Sequence, residues 1–240
     1  FGTWAARPDA VPERIGKAEP VGARRVLLVD KPEATQTQIR IGAIGLARND
    51  PALVPAQVAN TILGGGFTSR LIEELRVKRS LTYGAWSGFA ARKVPGDFRM
   101  GTFTKVETTG EALQVALDVL SGFATGGATA AELTRSQSLL TGQFPKQLET
   151  PGAVASKLAE LKGFGLPESD LAAYPARVNA TSLADVQQLA GRYVPTADAA
   201  IVIVGPADTI APQLAKFGTI ERTTPAGCEA ADAPQAVRHP

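Results

Sequence analysis

Residue types that could do chemistry crowd into one stretch of the chain, Leu63-Gly-Gly-Gly-Phe-Thr-Ser-Arg-Leu-Ile-Glu-Glu-Leu-Arg-Val-Lys-Arg-Ser-Leu-Thr-Tyr-Gly84. A glycine triplet ahead of a helix exposes free amides and the positive end of the helix dipole, which can cradle phosphate. No Gly-Lys-Ser/Thr follows, and the residues before the triplet read as helix, so a phosphate loop is disfavoured. Ser69 could act as a nucleophile only beside a positioned base. The chain has one His, His239, and one Cys, Cys228, both in a Pro/Ala-rich C-terminal stretch without helix or strand pattern. A zinc site built on histidine, a Ser/His/Asp triad and a Cys/His pair all need an imidazole in a packed setting. The Asp and Glu residues are dispersed rather than clustered as a hard cation requires. The plain alternative is that the glycines turn the chain between two packed helices.

The run Leu-Gly-Gly-Gly-Phe-Thr-Ser-Arg-Leu over 63–71, followed by Glu-Leu-Arg-Val-Lys-Arg-Ser-Leu-Thr-Tyr-Gly over 74–84, carries a more specific signal. It resembles the signature of the C-terminal homology domain of insulinase/pitrilysin-type (inverted zincin) zinc metallopeptidases and mitochondrial-processing-peptidase-like proteins. The match takes in the glycine turn, Ser69-Arg70-Leu71, and Leu75-Arg76 placed seven residues before Tyr83-Gly84. It is dense over 63–89, while the element order is similar from about Val21 to Phe217, and Phe1-Gly-Thr-Trp4 resembles the family's linker out of a preceding domain. In that family an H-x-x-E-H helix holds zinc and its carboxylate activates water, and nothing in this chain matches that helix. The resemblance therefore implies that this chain binds no cofactor itself. It implies zinc in a homologous partner domain or subunit, and a peptide substrate held partly by an Arg and a Tyr that by position are Arg76 and Tyr83.

Both residue types suit that role. Arg brings a planar, permanently charged donor array and Tyr a neutral hydroxyl on a stiff ring, so each can point at a peptide carbonyl oxygen without acting as a base. On a continuous helix their spacing places them on one face about 10 Å apart. A break near Ser80-Leu81 is expected to bring them closer. The bland alternatives are an Arg76–Glu73 surface pair and a half-buried strand tyrosine. Ser69, Arg70, Lys78 and Arg79 are expected to be caps and solvated charges.

The elements that must position the pair follow from patterning. Residues 24–30 form a continuous apolar run suited to a buried strand, and 36–46 alternate, so the two are expected as an antiparallel hairpin. Asn49-Asp50-Pro51 is a helix-start signal with Asp50 as cap, although Pro55 leaves the start open by a turn. That helix is expected to stop at Gly64-Gly65-Gly66 through a left-handed exit. A second helix over 68–79 buries Leu71, Ile72 and Leu75 and pairs Glu74 with Lys78. Residues 83–93 and 97–105 read as strands joined at Val94-Pro95-Gly96. Thr108 with Glu111, Thr129 with Glu132, and Ser182 with Asp185 match the capping-box spacing. Helices are expected near 109–124, 130–148, 151–164 and 183–193, with Pro145 kinking or ending the second. Residues 199–204 read as a central strand, followed by a short helix to Phe217.

This order predicts an α+β fold, a two-layer domain with a mainly antiparallel sheet covered on one face by helices, like the LuxS/processing-peptidase metallohydrolases. The domain is expected over 21–218, with a linker or processed start at 1–20 and a flexible tail at 219–240. A chain of 240 residues, 44% hydrophobic and 20% charged, can bury a full core. Its net charge of +2 is spread without basic blocks, so neither nucleic acid nor a membrane surface is indicated, and no apolar run is long enough for a membrane span. A single Cys allows no internal disulfide. The Ala-rich composition and processed-looking start, together with the family resemblance, favour the periplasm over the cytoplasm. The alternative function is an inactive pseudo-peptidase serving as a structural or assembly subunit; a free-standing peptide-binding module is a third possibility.

Overall fold

The computed structural model describes residues 3, 16, 18–20 and 22–226. The chain begins with strands β1 (Arg25–Asp30) and β2 (Gln36–Ile44), helix α1 (Leu53–Leu63) and a π-helical segment Ile72–Val77. Strands β3 (Ala85–Ala90) and β4 (Asp97–Lys105) follow. Five helices come next, α2 (Thr109–Gly126), α3 (Ala130–Gln143), α4 (Pro151–Gly163), α5 (Ser169–Ala180) and α6 (Leu183–Tyr193). Strand β5 (Ala200–Gly205), helix α7 (Ala207–Leu214) and strand β6 (Ile220–Thr223) complete the described fold.

One six-stranded sheet runs in the order β3-β4-β2-β5-β1-β6. The three pairings among β3, β4, β2 and β5 are antiparallel, whereas β1 is parallel to both β5 and β6, so the sheet is mixed. The expected β1–β2 hairpin does not form, because β5 lies between them, with Ile39 opposite Ile203 and Leu28 opposite Ile203 on its other side. The reason lies in the apolar run of β5, which is satisfied only in the sheet centre. Five residues between β1 and β2 suffice to step over one strand at about 4.8 Å per step.

The sheet's two faces differ. Val26, Leu28, Ile39, Ile41, Phe98, Met100, Ile201 and Ile203 are buried in one core with Val58, Leu113, Leu120 and Phe123 from the helices. The opposite face carries Leu27, Arg40, Trp86 and Val202, which keep contact with solvent. Burying one face under helices and leaving the other open is the two-layer α+β arrangement the patterning predicts.

Local signals were met unevenly. Thr129 and Ser182 form reciprocal capping boxes with Glu132 and Asp185. Thr108 does not: its hydroxyl bonds Thr104, and α2 starts from a 3-10 turn over Val106–Thr108. Asp50 accepts from the Ala52 amide at 2.8 Å, placing the α1 start two residues later than Pro51 and Pro55 harmlessly in the first turn. Pro145 ends α3. Helix α5 lies where no element was assigned, because Pro175 interrupts its pattern. Tertiary contacts supply it instead, with Val178 fully buried and Gln137 Nε2 donating to the Val178 and Thr181 carbonyls. The stretch expected as tail from 219 opens with β6. The rest of that stretch from 227, including Cys228 and His239, and most of the expected linker lie outside the described residues.

Candidate functional site

The site is assembled where α1, the π-helical segment and β3 meet. Gly64 ends α1 with φ −157°, so the expected left-handed exit does not occur. Glycine is needed there for space: a Cβ would sit 2.3 Å from Ser87 Oγ and 2.5 Å from Ser87 N. That contact lets the Ser87 amide donate to the Gly64 carbonyl at 3.1 Å, while Asn60 Nδ2 donates to the Ser87 carbonyl and Ser87 Oγ donates to Asn60 Oδ1. The end of α1 thus grips the outer edge of β3, which closes that edge at Ser87.

The expected α-helix over 68–79 turns helical at Arg70 and widens at once into the π-helix. Lys78 N bonds Glu73 O, five residues back, and Leu81 N bonds Leu75 O, six back. Leu71, Ile72 and Leu75 are buried as expected, and Lys78 Nζ reaches Glu74 at 2.7 Å. Arg79 bonds the same carboxylate, and together they hold the Glu74 carboxyl below its ordinary range. Wide turns of this kind recur at functional sites because the extra residue re-aims the side chains that follow.

Arg76 projects from the last π turn and Tyr83 from the bend before β3, and the two come together: the Arg76 guanidinium carbon lies 4.7 Å from the centre of the Tyr83 ring. Ser80, at φ 53°, turns the backbone between them. The expected break at Ser80-Leu81 is present and the two side chains meet across it, whereas no Arg76–Glu73 pair forms. Among the described residues Arg76 has neither a carboxylate nor a hydrogen-bond acceptor for its guanidinium, and Tyr83 is 76% exposed. Tyr83 precedes β3 rather than lying in it.

The bend that carries Tyr83 is pinned on both sides by hydroxyls. Thr104 Oγ1 donates to the Leu81 carbonyl at 2.7 Å, Thr102 Oγ1 donates to the Gly84 carbonyl at 3.0 Å, and Thr82 Oγ1 accepts from the Gly84 amide. Sequence reasoning passed over all three threonines. The available signal was polar Thr102 and Thr104 on the inward positions of β4, where alternation calls for apolar side chains. Arg70, expected to be solvated, instead makes a bidentate pair with Glu132 at 2.7 and 2.8 Å while lying 5.1 Å from the Phe123 ring centre. The Arg70 guanidinium beside Glu132 holds that carboxyl down at about 2. Ser69 is buried, and its hydroxyl has no partner among the described residues.

Five large apolar side chains are exposed among the described residues, and four of them, Phe67, Val77, Tyr83 and Trp86, fall within this one segment. No group of three or more His, Cys, Asp or Glu among the described residues could hold a metal ion, so the donor set here does not fit a zinc centre. No helix of the described residues is long and apolar enough to cross a membrane.

Comparison with known proteins places the chain in a family and a fold. The family profile described as the peptidase M16 inactive domain matches residues 1–140. An uncharacterized zinc protease of Streptomyces coelicolor is 32% identical over 156 residues, which are 65% of this chain and 33% of that protein. The chain thus spans about a third of that relative's length. Among solved structures, the peptidase M16 inactive domain from Pseudomonas fluorescens superposes with a TM-score of 0.72 at 27% identity, over 80% of this chain and 46% of the other. A protease from Helicobacter pylori shares the fold with a TM-score of 0.75 at 22% identity, over 83% and 48%.

Proposed function

The chain belongs to the peptidase M16 inactive-domain family, and from that premise we propose that it is the non-zinc, substrate-holding C-terminal domain of a zinc metallopeptidase. It completes the active site of a homologous H-x-x-E-H domain or subunit, with which it forms a two-part enzyme for peptide-bond hydrolysis. The zinc of that partner supplies the activated water. This chain supplies donors.

The observation that carries the proposal is the Arg76–Tyr83 pair, held at a braced corner with its donors uncommitted. A cation over an exposed aromatic ring is worth only about 0.5–1 kcal/mol. That is enough to keep Arg76 in place before substrate arrives and too little to resist a charged or carbonyl oxygen that offers hydrogen bonds. A donor aimed at the developing negative charge of a tetrahedral intermediate contributes about 3–4 kcal/mol. The second term exceeds the first, so the guanidinium is free to turn to the peptide. The Tyr83 hydroxyl, on a ring with few rotamers, adds a neutral donor at little entropic cost.

Mixed with its H-x-x-E-H partner, the wild-type chain should restore cleavage that neither part performs alone. Arg76→Ala should lower turnover of the mixture about 10²- to 10³-fold, and Tyr83→Phe about tenfold, with melting of the chain unchanged. Full turnover in both variants would leave the chain as a structural subunit. The periplasm remains the proposed compartment over the cytoplasm, and fractionation of cells producing the full-length protein decides it.

A further inference from the structure

The open face of the sheet begins three residues beyond Tyr83, at Trp86. The strand registers align one row of residues across all six strands: Trp86, Gly101, Arg40, Val202, Leu27 and Glu221. Trp86 lies flat over Gly101, where a Cβ would come within 2.6 Å of its ring. Arg40 sits beside it, its guanidinium carbon 5.7 Å from the indole centre. Arg40 Nη1 donates to the Ile39 and Thr102 carbonyls and Nη2 donates to Gln38 Oε1. Those three bonds use three of the five guanidinium donors. The carboxylates on this face are already engaged, Glu221 by Arg25 at 3.0 Å and Asp97 by Arg99 at 3.2 Å. Arg40 is therefore a fixed positive charge with two donors to spare and no carboxylate within the described residues, on a floor of half-exposed Val202, Leu27 and Trp86.

We infer that this face receives an extended peptide segment and that Arg40, backed by Trp86, takes a side-chain carboxylate of that segment with apolar neighbours lying on the valine and leucine floor. The inference rests on the substrate-holding reading of Arg76 and Tyr83, and it gives the substrate a chemical class, peptides with an acidic residue within an apolar stretch. Charge complementarity favours this occupant. A guanidinium with two free donors and no carboxylate, beside an aromatic plate, rewards an anion, and covering it with an apolar surface alone would strand those donors. Tyr83 and Trp86 are three residues apart, so at most about 11 Å of chain separates them, within the reach of one extended peptide.

The test uses acetylated, amidated dodecapeptides that differ at one central position, Glu or Gln, with Val and Leu on either side, so that no terminal carboxylate competes. Fluorescence anisotropy with this chain should show the Glu peptide bound about tenfold more tightly than its Gln twin. Arg40→Gln should reduce that ratio below about twofold, as should raising the salt to about 1 M. Equal binding of the two peptides, or a ratio that survives Arg40→Gln, overturns the inference. It is equally overturned if Arg40→Gln weakens association with the zinc-bearing partner and leaves peptide binding alone, for then a protein surface covers this face. Arg76→Ala separates the two proposals, since it should lower turnover and preserve the Glu/Gln ratio. Turnover undiminished with the ratio intact removes the role of Arg76 and leaves the acidic subsite standing. A reduced turnover with no ratio in the wild type does the opposite.

Discussion

Two arginines six residues apart on the same helical segment do opposite things. Arg70 is locked: both forks of its guanidinium meet Glu132, its flat face lies over Phe123, and the pair ties the π segment to α3. Arg76 is idle: its guanidinium lies over an exposed ring, and no acceptor engages its donors among the described residues. Charge, size and helix are shared, so the difference comes from the surroundings. A guanidinium paired with a carboxylate of its own chain contributes to stability, whereas one with no carboxylate beside an open surface is kept in reserve for something outside the chain. The Arg40–Trp86 pair is of the second kind.

The strongest way to break this comparison is a reciprocal pair of substitutions. Arg76→Ala is expected to cost the assembled enzyme about 3–4 kcal/mol of transition-state stabilisation and to shift the stability of this chain by less than about 0.5 kcal/mol. Arg70→Ala should do the reverse, destabilising the chain by about 2–3 kcal/mol because Glu132 stays partly buried without its cation. Urea denaturation and turnover measured on both variants decide it, and equal effects of the two on both quantities would erase the distinction. Gly64→Ala comes next, at about 1–3 kcal/mol, since its Cβ collides with Ser87 and pries α1 from β3. If the grip positions the bend, part of its damage should also appear in turnover.

The smallest effect sharpens the locked half through pH. The Glu132 carboxyl is held at about 2 by Arg70, below its ordinary value of 4.5. A carboxyl with a lowered folded-state value stabilises at pH above its unfolded value and loses that contribution as pH falls toward the folded one. About 1–2 kcal/mol, after allowing for solvent around the pair, should therefore disappear between about pH 5 and pH 2. Denaturation of wild type and Glu132→Gln at pH 7 and pH 3 checks it: the gap between them should narrow at the lower pH. A constant gap would mean that Arg70 is held by packing on Phe123 rather than by charge.

The sequence alone determined those features whose causes are local. The helices opened by Thr129 and Ser182, the stop at Pro145, the paired strands around Val94-Pro95-Gly96 and the inward stripe of Leu71, Ile72 and Leu75 follow from capping, missing amides and periodicity within a few residues. The motif marked Arg76 and Tyr83 as a pair. Tertiary structure decided which strands are neighbours, because β5, far along the chain, competes for the place beside β1 and wins it by burying an apolar run. It decided that Gly64 is needed for closeness rather than for handedness, and that Arg70 is locked while Arg76 is free. It also widened the second helix into a π turn and fixed the Tyr83 bend through Thr102 and Thr104 from β4. A side chain's task depends on which partners remain within hydrogen-bond reach after folding, and residues far apart in the chain supply them.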